Sequence, residues 1–323
     1  MHDLHPFRGR HIIAMAAVLA LGTTVAISPA GLATAAGVNP KSKASVAAGY
    51  LSRYAPAIAT PSGWTGSAST CSKGIESPLS KSATLSAVNY VRSLAGLRPA
   101  KLDSSLNSKA LAAALVYRAQ GDIAHNIPTN WPCYSADAAK AGTKSNIALG
   151  YSGAQTVTGY MDDAGAGNEL AGHRRWILLQ ATTKIGTGST DNTNALYVVG
   201  KWSTKKVKAP KWVPWPTAGY FPSQLEPDGR WSLGGDSVFD TNFSKAKVTV
   251  TSASGKKLRI KQYKPQTGVG VSSLVWEVAG IHAPSGTAAV RSYTVKVTGI
   301  TKTGSKKKLS YTYTVKLFDP TVR

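Results

Sequence analysis

The stretch Asn168-Glu169-Leu170-Ala171-Gly172-His173-Arg174-Arg175-Trp176-Ile177-Leu178-Leu179, followed closely by Lys184-Ile185-Gly186-Thr187-Gly188, decides the fold. It sets a histidine, two arginines and a tryptophan between a glycine break and an apolar run, then gives way to a short glycine-punctuated strand. The chain has six histidines, and His2, His5 and His11 lie near its start, which leaves His125, His173 and His282 for chemistry.

Working outward, the preceding sequence reads as helices and the following sequence as strands. Leu85, Val88, Val91 and Leu94 predict a helix over 82–95, ended by Gly96 and Pro99. Asp103, Ser104 and Ser105 are candidate N-caps for a second helix carrying Leu106, Ala110, Ala113, Ala114 and Tyr117 on its inner face. Ser152 and Gln155 form a capping-box pattern for a third, with Val157, Tyr160 and Met161 inward and Asp162 and Asp163 at its end. Strands are expected at 184–189 and 195–202. Helices followed by short strands, with no long alternation of the two, predict an α+β layer rather than a doubly wound sheet.

In order and spacing, these pieces resemble the CAP superfamily, the cysteine-rich secretory, antigen 5 and pathogenesis-related 1 proteins, over roughly residues 80–202. The resemblance rests on Asn89-Tyr90-Val91-Arg92, His125, Ser145-Asn146-Ile147-Ala148, Asp163, Gly172-His173-Arg174-Arg175-Trp176-Ile177-Leu178 and Ile185-Gly186-Thr187-Gly188. It implies an α-β-α sandwich with two histidines and two acids around one cleft. Carried over by position, the cleft residues are His125, Ser145, Asn146, Asp163 and His173. Asp163 falls where the family's Trp-x-x-Glu acid lies, and Ser145 stands where the other acid usually precedes the Asn-Ile-Ala triplet.

Two neutral imidazoles and a carboxylate on one cleft suit zinc, with His125, His173 and Asp163 as ligands and a fourth position open. The same groups suit a water held for general-base work, and so an extracellular hydrolase or protease. The third reading is structural, with both imidazoles satisfied by hydrogen bonds. No G-x-S-x-G nucleophile motif is present, and Ser145 lacks a neighbour in sequence that would activate it. The balance favours a non-enzymatic protein whose cleft takes a metal or small ligand. Arg174 and Arg175 read as ion-pair partners of Glu169 or Asp162, with an anionic ligand as the sharper alternative, and Trp176 as core.

Residues 1–36 read as a secretory signal: Arg8 and Arg10, the apolar run 12–27, and the cleavage pattern Ala33-Thr34-Ala35. The mature chain then has no membrane-spanning segment and is secreted. Outside the cytoplasm, the two cysteines, Cys71 and Cys133, predict a disulfide. Residues 37–80 read as an extension wrapped over the first domain (81–202), with a short helix at 45–54.

Residues 203–229 read as a stiff Trp/Pro-rich connector of a kind that also follows bacterial CAP domains, with Trp212, Trp215 and Tyr220 wedged between two domains or, as the alternative, exposed as an aromatic platform for a sugar. From residue 230 to 323, alternating segments at 247–252, 257–263, 273–279, 291–299 and 309–318 predict an all-β sandwich of immunoglobulin-like type. Residues 201–323 hold 21 Lys and Arg against six Asp and Glu, +15 of the total +23. Charge bears on partners rather than on fold. For an exported chain it points to an anionic cell-wall polymer or cell surface, not to nucleic acid. His282 reads as a loop residue.

Overall fold

Asn39 and Ser42 start the described chain's first helical segment, in what is a computed structural model covering residues 37–203, 209–235, 240–265 and 271–322. The segment read as a signal, 1–36, lies outside the described residues. Helix α1 (Lys43–Gly49) runs through a π-helical stretch (Tyr50–Tyr54) into α2 (Ala55–Ile58), longer than the short helix expected. Helix α3 (Pro78–Leu94) starts four residues before its predicted first residue. The Ser77 hydroxyl accepts from Ser80 N–H, and Pro78 sits at the first helical positions, where a missing N–H costs nothing. Helix α4 (Ser104–Gln120) is capped by Asp103, as its sequence predicts.

Strand β1 (Lys101–Leu102), β2 (Ser145–Leu149), β3 (Lys184–Ser189) and β4 (Thr193–Tyr197) form one sheet in the order β1-β3-β4-β2. Helices cover both faces. Ala195 and Tyr197 of β4, with Ile147 of β2, pack into a cluster with α4 and α5 (Ala136–Gly142). Leu196 and Ala148 point the other way, to α3 and α6 (Gln155–Asp162). The period-2 alternation of a strand thus serves two helical layers at once. Helix α4 lies almost in contact with the β3 backbone. A Cβ on Gly188 would come 2.0 Å from Leu111 N, so the glycines of this strand set the layer spacing.

Several local expectations are corrected. Helix α6 is not capped by Ser152: Ala154 is its N-cap residue, and Thr156 Oγ1 donates to Gly153 O at 2.7 Å. The last strand stops at Tyr197, and Trp202 makes only an isolated bridge with Thr182. Helix α5, which no sequence reading anticipated, is nucleated by the Ser135 cap, whose hydroxyl accepts from Ala138 N–H.

Beyond residue 209 the chain is β-structured in two sheets. One has β5 (Val213–Trp215), β7 (Arg230–Gly234), β10 (Ile260–Gln262) and β11 (Ser273–Val278) in the order β10-β11-β7-β5. The other has β6 (Gly219–Pro222), β13 (Leu309–Phe318), β12 (Val290–Lys302) and β8 (Thr241–Asn242), with β9 (Lys247–Ser252) also paired to β12. Trp231 and Tyr293 meet edge to face between the sheets at 5.9 Å. The segment read as a connector supplies a strand to each sheet. Trp215 is fully buried against Phe221 because β5 pairs with β7 and β6 runs parallel to β13.

The N-terminal extension reaches this half too, since Tyr220 N–H donates to Pro40 O at 2.7 Å. One hydrophobic core therefore runs from the helices into both sheets. Among the described residues, no helix is long and apolar enough to cross a membrane. Cys71 and Cys133 are joined by a disulfide across 62 residues of sequence.

Candidate functional site

Helix α6 ends in a left-handed turn at Asp163 (φ 50°), which swings that carboxylate back under the next helix, α7 (Gly172–Ile177). There Asp163 Oδ1 lies 2.6 Å from His173 Nδ1, and Oδ2 accepts the Arg174 backbone N–H at 2.9 Å. Asp163 is fully buried, and with both oxygens accepting it fixes the imidazole with its proton on Nδ1. The Tyr160 ring packs 5.3 Å from the His173 ring, and Tyr160 OH donates to Asn194 Oδ1 at 2.9 Å. Asn146, on β2, donates to His173 O at 3.1 Å. Three of the five predicted cleft residues, Asn146, Asp163 and His173, are thus brought together.

Ser145 precedes Asn146 on β2. Its hydroxyl is buried and makes no hydrogen bond among the described residues. His125 is exposed, with Nδ1 2.9 Å from Gly142 O, and no described bond or ring contact joins it to His173. The expected zinc centre of His125, His173 and Asp163 is therefore not assembled. Among the described residues, no group of three His, Cys, Asp or Glu is placed to hold a metal. The physical reason is that His125 is turned to the Gly142 carbonyl, while Asp163 is bonded by His173 Nδ1 and the Arg174 N–H.

Arg174, which follows, also departs from expectation. Arg174 reaches Asp162 through its backbone carbonyl, while Glu169 lies 3.8 Å from Lys261. It is 1% exposed, and its guanidinium donates to neutral oxygens: Met161 O (2.6 Å), Asp162 O (3.0 Å), Arg230 O (2.8 Å) and Ser232 Oγ (3.2 Å). Burial pulls its pKa down to about 10, still charged at neutral pH. Arg174, Arg175 and Ser232 line a cavity of about 20 Å³ between α7 and β7, room for a single water. Trp176 is only half-buried and stacks on the exposed Trp202 at 6.0 Å.

Sequence reasoning passed over Arg230, whose Nη1 donates to Asp163 O and, at 2.9 Å, to Gly165 O. It anchors itself on Glu277 through Nη2 at 2.9 Å. Arg92 is equally hidden: Nη1 donates to Ile177 O and Leu179 O, satisfying carbonyls at the end of α7. Of these two arginines, Arg92 alone carried a signal, its place in the quoted Asn-Tyr-Val-Arg run. Glu76 is buried too. It accepts from Ser80 Oγ (2.6 Å) and Ser189 N–H (3.2 Å), and burial pushes its pKa up to about 7. Its signal was that it is the one acid among residues 37–80.

No curated protein and no solved structure matches the chain. Residues 85–202 match the model of the cysteine-rich secretory protein family, CAP. That span contains α4, the four-stranded sheet, the Asp163–His173 pair and α7, so this part of the chain is a CAP domain.

Proposed function

We propose that this chain is an exported, non-enzymatic CAP-domain protein, whose cleft around His173 holds a small ligand and whose cationic β half contacts an anionic cell surface. The contrast between the two halves carries the reading. The CAP half presents one oriented imidazole with no second carboxylate at Ser145 and no nucleophile on it. The β half holds most of the excess charge, with Arg259, Lys261 and Lys296 exposed on its strands and loops. A hydrolase would need a group for His173 to activate, and no described contact brings Ser145 Oγ to it. The disulfide fits an oxidising compartment and so supports export.

The β half is read as an immunoglobulin-like sandwich. Support comes from its strand orders: β5-β7-β11-β10 follows A-B-E-D of that fold, and β9-β12-β13 follows C-F-G. The test is retention of the mature full-length protein on purified cell walls from low to high salt. Ionic contact predicts binding that falls steeply as salt rises, because exposed charges are screened within about 8 Å at physiological ionic strength. Absence of binding at low salt refutes the surface contact. Mass spectrometry of small molecules extracted from the natively purified protein tests the cleft, and an empty extract refutes a retained ligand.

A further inference from the structure

A groove of about 510 Å³ runs between the loop carrying Trp64 to Ser69 and the last turn of α4, and its lining includes neither the His173 site nor the β half. Its size falls within the range of small-ligand sites, about 300–1,000 Å³. Two groups in its walls are held rigidly. The Trp64 indole donates from Nε1 to Lys73 O at 2.8 Å. The ring also lies so close on Gly66 that a Cβ there would come 2.4 Å from it. Arg118 is forked onto Asp191, Nε to Oδ1 at 2.7 Å and Nη2 to Oδ2 at 3.1 Å. Both side chains of that pair remain substantially exposed, at 41% and 54%. The loop itself is tied down by the paired bridge of Ser67 with Ser72 and by the Cys71–Cys133 disulfide.

We propose that this groove is a carbohydrate subsite, in which the Trp64 ring stacks on the face of a pyranose and Arg118 binds its hydroxyls. The electron-rich ring face attracts the slightly positive C–H edge of a sugar, and a fixed indole loses little entropy in stacking. The guanidinium is neutralised by its carboxylate partner, so the pair offers planar donors and acceptors without selecting a charged ligand. Ser67 and Ser69, whose hydroxyls bond each other at 3.0 Å, supply further polar groups along the same wall. The ligand class is accordingly a neutral oligosaccharide. The subsite is independent of the ionic contact assigned to the β half.

The experiment titrates the mature full-length protein with the N-acetylglucosamine tetramer and with cellotetraose at about 0.5 M NaCl, where ionic contacts over more than a few ångström are screened. Binding is followed by calorimetry and by the NMR signal of the Trp64 indole N–H. Saturable binding that moves this signal is expected for at least one sugar. Binding of the acetylated sugar alone identifies an acetamido glycan as the source, and binding of both identifies general pyranose recognition. Trp64→Ala should weaken binding at least tenfold. Because that change also frees the loop, Ala119→Gln provides a second variant: it fills the groove from the helix side, leaves the loop bonds intact, and should weaken binding as much with no change in melting temperature. No saturable binding by either sugar overturns the proposal, as does wild-type affinity in both variants.

Discussion

Arg174 and Arg230 hold each other across the two halves of the molecule. Arg174 Nη1 donates to the Arg230 carbonyl at 2.8 Å, while Arg230 Nη1 donates back to the carbonyl of Asp163, eleven residues before Arg174. Two like charges come this close because each is bound to the other's backbone neighbourhood, with Glu277 and Asp163 nearby to offset them. The pair joins the CAP domain to β7 by hydrogen bonds that no single half could complete.

Arg174→Lys should therefore destabilise the whole chain by about 2–3 kcal/mol. An ammonium cannot reproduce a planar fork that serves four acceptors, and each buried acceptor left unmet costs about 1–3 kcal/mol. Urea unfolding of the two proteins checks this, and an unchanged midpoint would show that the clasp contributes nothing.

Asp163→Asn should release the His173 tautomer. Asparagine tolerates the left-handed turn, so the backbone is expected to hold. Its amide, with one acceptor for two N–H groups, no longer demands a proton on Nδ1. Imidazole ¹⁵N shifts should show one tautomer in the wild type and a mixture in the variant. The same mixture in both would mean that the carboxylate does not orient the ring.

Loss of the disulfide, in the Cys71→Ser/Cys133→Ser double variant, should cost about 4 kcal/mol, the chain-entropy value for a loop of 62 residues. The melting temperature of the reduced wild type should match that of the variant.

Glu76 should make stability fall as pH rises. Its carboxyl has a folded pKa of about 7 against an ordinary 4.5, so between these values the folded state binds more protons than the unfolded one. Stability contributed by the protonated form is full below about pH 4.5 and is lost as pH climbs to 7, by at most about 3 kcal/mol. Glu76→Gln keeps a neutral group that can accept from Ser189 N–H and donate to Ser80. The difference in stability between variant and wild type should grow from pH 5 to pH 7.5, measured by denaturant titration at each pH. A constant difference would place the carboxylate's charge outside the balance.

The α4 cap at Asp103, the strands 184–189, 247–252 and 309–318, and the Cys71–Cys133 pairing were legible from local chemistry alone. Each depends on little more than local sequence: a side chain reaching the first free N–H, alternation along a strand, or a count of two thiols. The His173 stretch was legible as a family signature, and with it the α+β layering.

What the tertiary structure decided is which partner each polar group takes. His125 and His173 matched one motif, yet only His173 meets Asp163, since that contact depends on a left-handed turn whose need no residue type announces. The Trp/Pro segment read as a spacer because prolines remove ladder donors, but β5 and β6 lie where β7 and β13 can pair with the groups that remain. In sequence Arg92 stood only in a family run, Arg174 read as an ion-pair partner of an acid, and Arg230 carried no signal. Their burial follows from backbone carbonyls left open at the ends of α6 and α7, and those acceptors converge only once the helices have packed against the sheets.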